Sequence, residues 1–318
     1  MRRPASLQSH VGMIQYLYLG RVDYGEALRL QQELVGLRTR GSIGNVLLLL
    51  EHPPVLTLGR NANRSNILAS DELLAARGVM LHEINRGGDV TYHGPGQLIG
   101  YPIFDLRSLR NPASGGRLGP VDFIRLMEEA LIRLCGEFGV QAGRICGLTG
   151  VWCGLPEPQI SSEGLPCAAP SKTSPPAGRE RKIAAIGIHV ARGVTSHGFA
   201  FNVTTDLRDF TLINPCGITD RPVTSLEREI ADSNSLPGLE SLAHRAARQF
   251  GLVFNEPVEF VASLAPLRAQ AGAKSDSPDP DFPAPEFPAQ EFPANDTPLQ
   301  IPPEIERLRH RKDRPVSA

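Results

Sequence analysis

Apolar residues recur along this chain with two periods. Residues 13–19 alternate as a half-buried strand does, and residues 24–40 follow with Ala27, Leu28, Leu30, Leu34 and Leu37 on or near one helical face. Residues 46–50 are apolar throughout, the pattern of a strand covered on both sides. Glu51-His52-Pro53-Pro54 interrupts that pattern, and residues 55–58 resume it. Residues 70–77 read as a short helix with Ser70 as its N-cap, and residues 79–84 as a strand. That strand feeds the run Arg86-Gly87-Gly88-Asp89-Val90-Thr91-Tyr92-His93-Gly94-Pro95-Gly96-Gln97, and residues 98–106 form the next strand. The clearest helix spans residues 120–138, where Ile124, Met127, Leu131, Leu134, Cys135 and Phe138 recur at helical spacing and Gly139 closes it. Strands are expected at 149–153, 182–190 and 197–203, helices at 224–230 and 236–250, and a last strand at 252–255. Strands and helices mix without a regular βαβ repeat, so the expected class is α+β: a mixed β-sheet with flanking helices.

Some segments fall outside that core. Residues 1–12 form an N-terminal extension to a domain of residues 13–269. Residues 155–181 are rich in Pro, Ser, Gly and Ala without periodicity, which predicts a long flexible loop. From 270 to 318 the chain repeats Phe-Pro-Ala around Phe282, Phe287 and Phe292, a composition that predicts a disordered tail.

Composition removes several function classes. A net charge of −1 over 318 residues argues against a general nucleic-acid or membrane-surface role. No run is long enough for a membrane span, and the basic start lacks the apolar stretch of a signal peptide, so the cytoplasm is expected. Five cysteines without a C-x-x-C pair make a poor disulfide framework and a poor zinc site. Cys135 reads as core, Cys146 and Cys153 as packed thiols, and Cys167 as incidental in the loop. Of 33 basic residues only four are lysines, so each lysine invites inspection.

Three features could carry chemistry. The glycine-rich run places Arg, Thr, Tyr, His and Gln on a backbone free to approach a ligand, yet it lacks both nucleotide-loop patterns, and Pro95 removes an N–H that a phosphate nest would use. Cys216 sits in the turn Asn214-Pro215-Cys216-Gly217-Ile218, which leaves a nucleophile and a structural turn cysteine both open. Lys182 opens a strand of small apolar residues. It either points to water or stands at a pocket rim where it holds a thiolate. His93, His189 and His197 lack metal-ligand spacing, so no metal is expected; His52 reads as a residue that shapes its loop.

Five motifs in one order then resemble the octanoyltransferases of the lipoate pathway. They are the run from Arg86 to Gln97, Glu51-His52-Pro53-Pro54 through Arg60, Lys182-Ile183-Ala184-Ala185-Ile186-Gly187, Ser196-His197-Gly198-Phe199-Ala200-Phe201-Asn202-Val203, and the Cys216 turn. The likeness runs from about residue 14 to about residue 253. It implies a fold like the catalytic domains of biotin and lipoate protein ligases, and an octanoyl transfer that needs no cofactor. Acyl carrier protein would be the donor, with lipoyl-acyl carrier protein as a further donor. The acceptors would be lipoyl domains of 2-oxoacid dehydrogenase complexes and the glycine cleavage H protein. Carried over, Cys216 is the acyl-thioester nucleophile and Lys182 its activator. The acyl pocket is formed by Arg86, Gly87, Gly88, Asp89, Val90, Thr91, Tyr92 and His93, by Ala185, Ile186 and Gly187, and by Gly198, Phe199 and Ala200. The rival readings are a lipoate or biotin ligase, which uses lysine without a partner cysteine, a cysteine hydrolase with His93 or His197 as base, and a non-catalytic acyl-carrier-binding protein.

Overall fold

In the computed structural model, the described residues are 12–155, 159–160, 166–167, 180–214, 221–232 and 236–273. Cys216 therefore lies outside the described residues, as do residues 1–11, most of the expected 155–181 loop and the tail from 274 onward.

The chain opens with β1 (Ile14–Arg21), α1 (Tyr24–Thr39), β2 (Asn45–Glu51) and β3 (Val55–Leu58). It continues through α2 (Asp71–Ala76), β4 (Met80–Glu83), β5 (Val90–His93), β6 (Gln97–Ile103), α3 (Pro120–Gly136), β7 (Ala142–Ile145) and β8 (Leu148–Cys153). After the two-residue strands β9 (Gln159–Ile160) and β10 (Pro166–Cys167) come β11 (Arg181–Ala191), β12 (Val194–Asn202), α4 (Leu226–Glu229), α5 (Leu239–Phe254), β13 (Val258–Phe260) and α6 (Ala265–Ala273). Eight strands form one sheet in the order β13-β1-β2-β6-β12-β11-β8-β7, and β4-β3-β5 form a second, smaller sheet. The large sheet is mixed: β1 runs parallel to β2 and β13, while β2, β6, β12, β11 and β8 pair antiparallel in series. The expected α+β class with a mixed sheet is what forms.

Both faces of the large sheet are covered, which explains the unbroken apolar run in β2. Leu47 and Leu49 join a core built with Phe123, Met127 and Leu131 of α3 and Leu242, Ala246 and Phe250 of α5. Val46, Leu48 and Leu50 point the other way, to Ala27 and Leu34 of α1 and Leu267 of α6. Each such fully buried Leu or Phe stabilises the fold by about 1.5–3 kcal/mol relative to leaving it in water. The small sheet has its own core of Leu56, Val90, Tyr92, Leu74 and Phe210.

Several local expectations give way. Val90–His93 is a strand, because β3 offers it an antiparallel edge that glycine-rich composition conceals. Residues 252–255 continue α5 instead of forming a strand. Asn255 ends that helix at φ +55°, and the strand follows at Val258–Phe260. Helix α6 crosses the boundary at 269 suggested by composition, and the helix expected at 224–230 shrinks to Leu226–Glu229. Cys135 and Cys153 are free and buried as read, but Cys146, at the partly exposed turn between β7 and β8, is disulfide-bonded.

Candidate active site

The site lies where the glycine-rich segment of the small sheet meets strands β11 and β12 of the large one. The Gly87 N–H donates to Ile188 O at 3.0 Å, closing the two sheets over a slot. The slot encloses about 470 Å³ of space, part of it open to solvent. Arg86, Gly87, Gly88, Thr91, His93, Ala185, Ile186, Gly187, Gly198, Phe199 and Ala200 all line it, so three segments singled out from sequence converge on one cavity. Much of the wall is main chain. A Cβ on Gly187 would sit 2.8 Å from Gly87 O, and one on Gly198 would collide with Gly100 O.

Three residues of the sequence-derived set stand elsewhere. In β5, alternate side chains face opposite ways, so Thr91 and His93 face the slot while Val90 and Tyr92 enter the small sheet's core. The Tyr92 hydroxyl donates to Asp209 at 2.8 Å. Asp89 instead shapes the loop before the strand, accepting from the Asn63 and Val90 N–H groups at 3.0 and 2.7 Å and from the Asn66 amide. Conversely, Tyr24, Tyr101 and His197 line the slot without having been assigned to it from sequence. His197 lay inside a recognised motif, but the helix-start Tyr24 and the mid-strand Tyr101 carried no signal beyond ordinary core pattern.

The polar groups of the slot are bonded to one another. Arg86 is buried; its Nη2 donates to Thr57 O and Oγ1 at 2.8 and 2.9 Å, and its Nη1 to Gly87 O at 3.0 Å. Since Thr57 Oγ1 accepts from Arg86, its own proton is available to His93 Nε2, 3.4 Å away. His93 Nδ1 then donates to Gln97 Oε1 at 2.9 Å. Gln97 Nε2 donates to Tyr92 O at 3.3 Å and Asn202 Oδ1 at 2.8 Å, and Asn202 Nδ2 donates to Thr224 O at 2.9 Å. The Tyr92 and Thr224 carbonyls can only accept, so they determine how both amides are oriented. Arg86 therefore braces the wall and starts a one-way relay.

Burial pushes the His93 imidazole down to about 3, with nearby His52 and Arg86 adding to the effect. Burial first, then Arg86, holds His197 at about 3, where its Nε2 lies 2.9 Å from Asn85 Oδ1. His197 has φ +56°, a left-handed backbone that few non-glycine residues adopt. His52, as expected of a loop-shaping residue, ties Val22 O to the Tyr101 hydroxyl, at 2.7 Å on both sides. Burial lowers it to about 4. All three are neutral near pH 7. No group of three potential metal ligands occurs among the described residues.

Lys182 is 9% exposed, so it does not point to water. Its Nζ stands 5.1 Å from the centre of the Trp152 ring, a cation–π distance. Gly150 makes room for it: at φ +124°, a Cβ there would lie 2.7 Å from Lys182 Cε and 2.6 Å from Ala184 O. The Gly150 N–H is in turn held by Glu128 Oε1 at 3.0 Å. Lys182 lines a second, smaller cavity with Thr91, Gln97, Ala184, Ala185, Ala200, Asn202, Phe210 and Val223. Thr91, Ala185 and Ala200 belong to both cavities, so the lysine chamber adjoins the slot. The described residues on both sides of the segment that contains Cys216 are anchored. Asn214 N–H donates to Asn66 O at 2.7 Å. On the other side, Lys182 exchanges backbone bonds with Pro222 O and Thr224 N–H, both at 2.9 Å.

Residues 23–250 match the lipoyl protein ligase A/B catalytic domain. An octanoyltransferase of Acidobacterium capsulatum is 55% identical over 83% of this chain and 100% of its own length. The chain belongs to the octanoyltransferase family. A second octanoyltransferase, from Koribacter versatilis, is 53% identical over 79% of this chain and 88% of its own length. Among solved structures, a bipartite lipoate protein ligase of Thermoplasma acidophilum superposes with a TM-score of 0.53 at 15% identity, covering 82% of this chain and 91% of that one. LipL1 of P. falciparum, in complex with lipoate, has a TM-score of 0.53 at 11% identity, covering 81% and 71%. These distant likenesses concern the fold, which is therefore that of lipoate protein ligases. By family, the chain is an acyltransferase.

Proposed function

We propose that this acyltransferase moves an octanoyl group from octanoyl-acyl carrier protein to a lysine of a lipoyl domain through a thioester on Cys216. The observation that carries the reading is the buried Lys182, whose chamber shares three walls with an apolar slot. An acyl chain seated in the slot presents its carbonyl toward the chamber. Burying the seven carbons beyond the carbonyl supplies up to about 6 kcal/mol.

The chemistry runs in two balanced halves. The Cys216 thiol gives its proton to Lys182, and the thiolate attacks the donor carbonyl. The carbon–sulfur bond to the carrier then breaks, and the carrier thiolate takes the proton. In the second half, the amine of the target lysine attacks the enzyme thioester. An amide forms, Cys216 leaves as thiolate, and the amine proton passes to it through Lys182. The donor is already a thioester, so no nucleotide is consumed. A hydrolase is the less supported alternative, since His93 and His197 are engaged with Gln97, Thr57 and Asn85 and line the slot, not the lysine chamber.

Intact-mass spectrometry after incubation with octanoyl-acyl carrier protein tests this. An octanoyl mass on the wild type, absent in Cys216→Ala and transferred to added lipoyl domain, is expected. Full transfer by Cys216→Ala would overturn the thioester route, and release of free octanoate in the presence of acceptor would favour hydrolysis.

A further inference from the structure

The relay that begins at Arg86 ends in the lysine chamber on Asn202, and nothing in the transfer scheme above uses that residue. Asn202 is 4% exposed and lines the chamber beside Lys182 and Val223. Its amide is held on both sides: Oδ1 accepts from Gln97 Nε2 at 2.8 Å, and Nδ2 donates to Thr224 O at 2.9 Å. An amide nitrogen carries two N–H groups. The second has no acceptor among the described residues, although a buried unpaired donor of this kind costs stability. The orientation is also not adjustable, because the Tyr92 and Thr224 carbonyls force it from both ends of the relay.

We propose that Asn202 is a catalytic residue whose free N–H donates to the carbonyl oxygen of the octanoyl thioester and to the oxyanion formed when that carbonyl is attacked, with Gln97 as its positioning residue. This rests on the transfer reading. The geometry favours it in two ways. The chamber that Asn202 lines shares Thr91, Ala185 and Ala200 with the slot, so a chain seated with its carbonyl end at those residues brings the carbonyl beside that chamber. A donor fixed in advance on a buried side chain also needs no reorganisation when negative charge develops on the oxygen. In the balanced step, the C=O electron pair moves onto oxygen as the thiolate adds, Asn202 keeps its proton, and the pair returns as the carrier thiolate leaves.

The test loads wild-type protein with octanoyl-acyl carrier protein labelled with ¹³C at the octanoyl carbonyl. It reads the infrared band of the enzyme thioester, the acylation rate constant and the KM for the carrier. A donor at the oxygen shifts the band to lower frequency than that of an octanoyl thioester in an apolar solvent. Asn202→Ala should move the band back and slow acylation about 100-fold, with KM changed less than threefold. Gln97→Leu should give a smaller rate loss and a broadened band. A residue that serves only to hold the fold would lower the melting temperature without moving the band. If Asn202→Ala does not fold, the wild-type band decides alone. An unshifted wild-type band, or unchanged acylation in a folded Asn202→Ala, overturns the role of Asn202. Failure of the wild type to acquire any octanoyl mass overturns that role together with the transfer reading.

Discussion

Acidification should unfold this protein well above the pH at which carboxylates protonate. His52, His93 and His197 are buried, and burial depresses them to about 4, 3 and 3. In the unfolded chain each titrates near ~6.5. A folded-state value below the unfolded one means that the unfolded chain binds more protons between the two. Stability is therefore complete above pH ~6.5 and falls as pH drops toward the folded values. At pH 5 each histidine has lost ~1.5 pH units' worth, roughly 2 kcal/mol, so the three together remove about 6 kcal/mol. That rivals the whole ~5–15 kcal/mol stability of an ordinary domain. The loss steepens to roughly 4 kcal/mol per pH unit near pH 5, as three protons are taken up on unfolding. Urea denaturation at pH 7.5, 6.5, 5.5 and 5.0, with extrapolated free energies, measures it. The strongly paired carboxylates, such as Asp206, held at about 2 by Arg208, titrate too low to mimic the effect in this range. A stability that changes by less than 1 kcal/mol between pH 7.5 and 5.0 would refute the burial of these imidazoles as neutral groups.

Other outcomes follow from packing. Gly150→Ala combines a strained φ with a Cβ driven against Ala184 O and Lys182 Cε, and should cost about 2–5 kcal/mol and most of the transfer rate. Gly139→Ala, at φ +71° with nothing within 4 Å, should cost about 1 kcal/mol and spare activity, so equal losses in urea melts would contradict the clash. Removing the buried Glu128 carboxylate (Glu128→Ala) leaves Arg144, 3% exposed at its side chain, with one partner fewer. The expected cost is about 3–5 kcal/mol by denaturation, and a loss under 1 kcal/mol would count against the pairing. Ala185→Leu should keep the melting temperature within a few degrees while cutting octanoyl transfer at least tenfold and sparing butyryl transfer. Parallel losses for both donors would show that the slot is not where the chain sits.

Periodicity read the frame well where one rule governed a long segment. The amphipathic α1 and α3 and the two-sided strand β2 emerge close to their observed bounds, because burial alone decides them. It failed at β5, whose strand character depends on pairing with β3 far along the chain, a non-local term that local composition cannot carry. The site shows the same division. Motifs brought Arg86, Thr91, His93, Ala185 and Phe199 to one cavity, but taking 86–93 as a continuous wall ignored the strand period, which turns Val90 and Tyr92 away. Tyr24 and Tyr101 escaped notice because a tyrosine that lines a slot and a tyrosine in a core obey the same pattern. The relay through Gln97 and Asn202 was likewise invisible, since it exists only once β6 and β12 are laid side by side with Asn202 opposite Gln97.

The meeting of bare backbones at Gly87, Gly187, Gly198 and Gly100 has an evolutionary consequence. A wall made of peptide groups has almost no side chains to exchange, and at Gly187 and Gly198 even a methyl group would collide with a carbonyl of the facing strand. That side of the cavity is inherited with the fold and is closed to gradual adjustment. On the proposed reading, a change in the acyl group that the slot admits would arise at positions that add a side chain to the lining, such as Ala185, Ala200 and Thr91, which also line the lysine chamber.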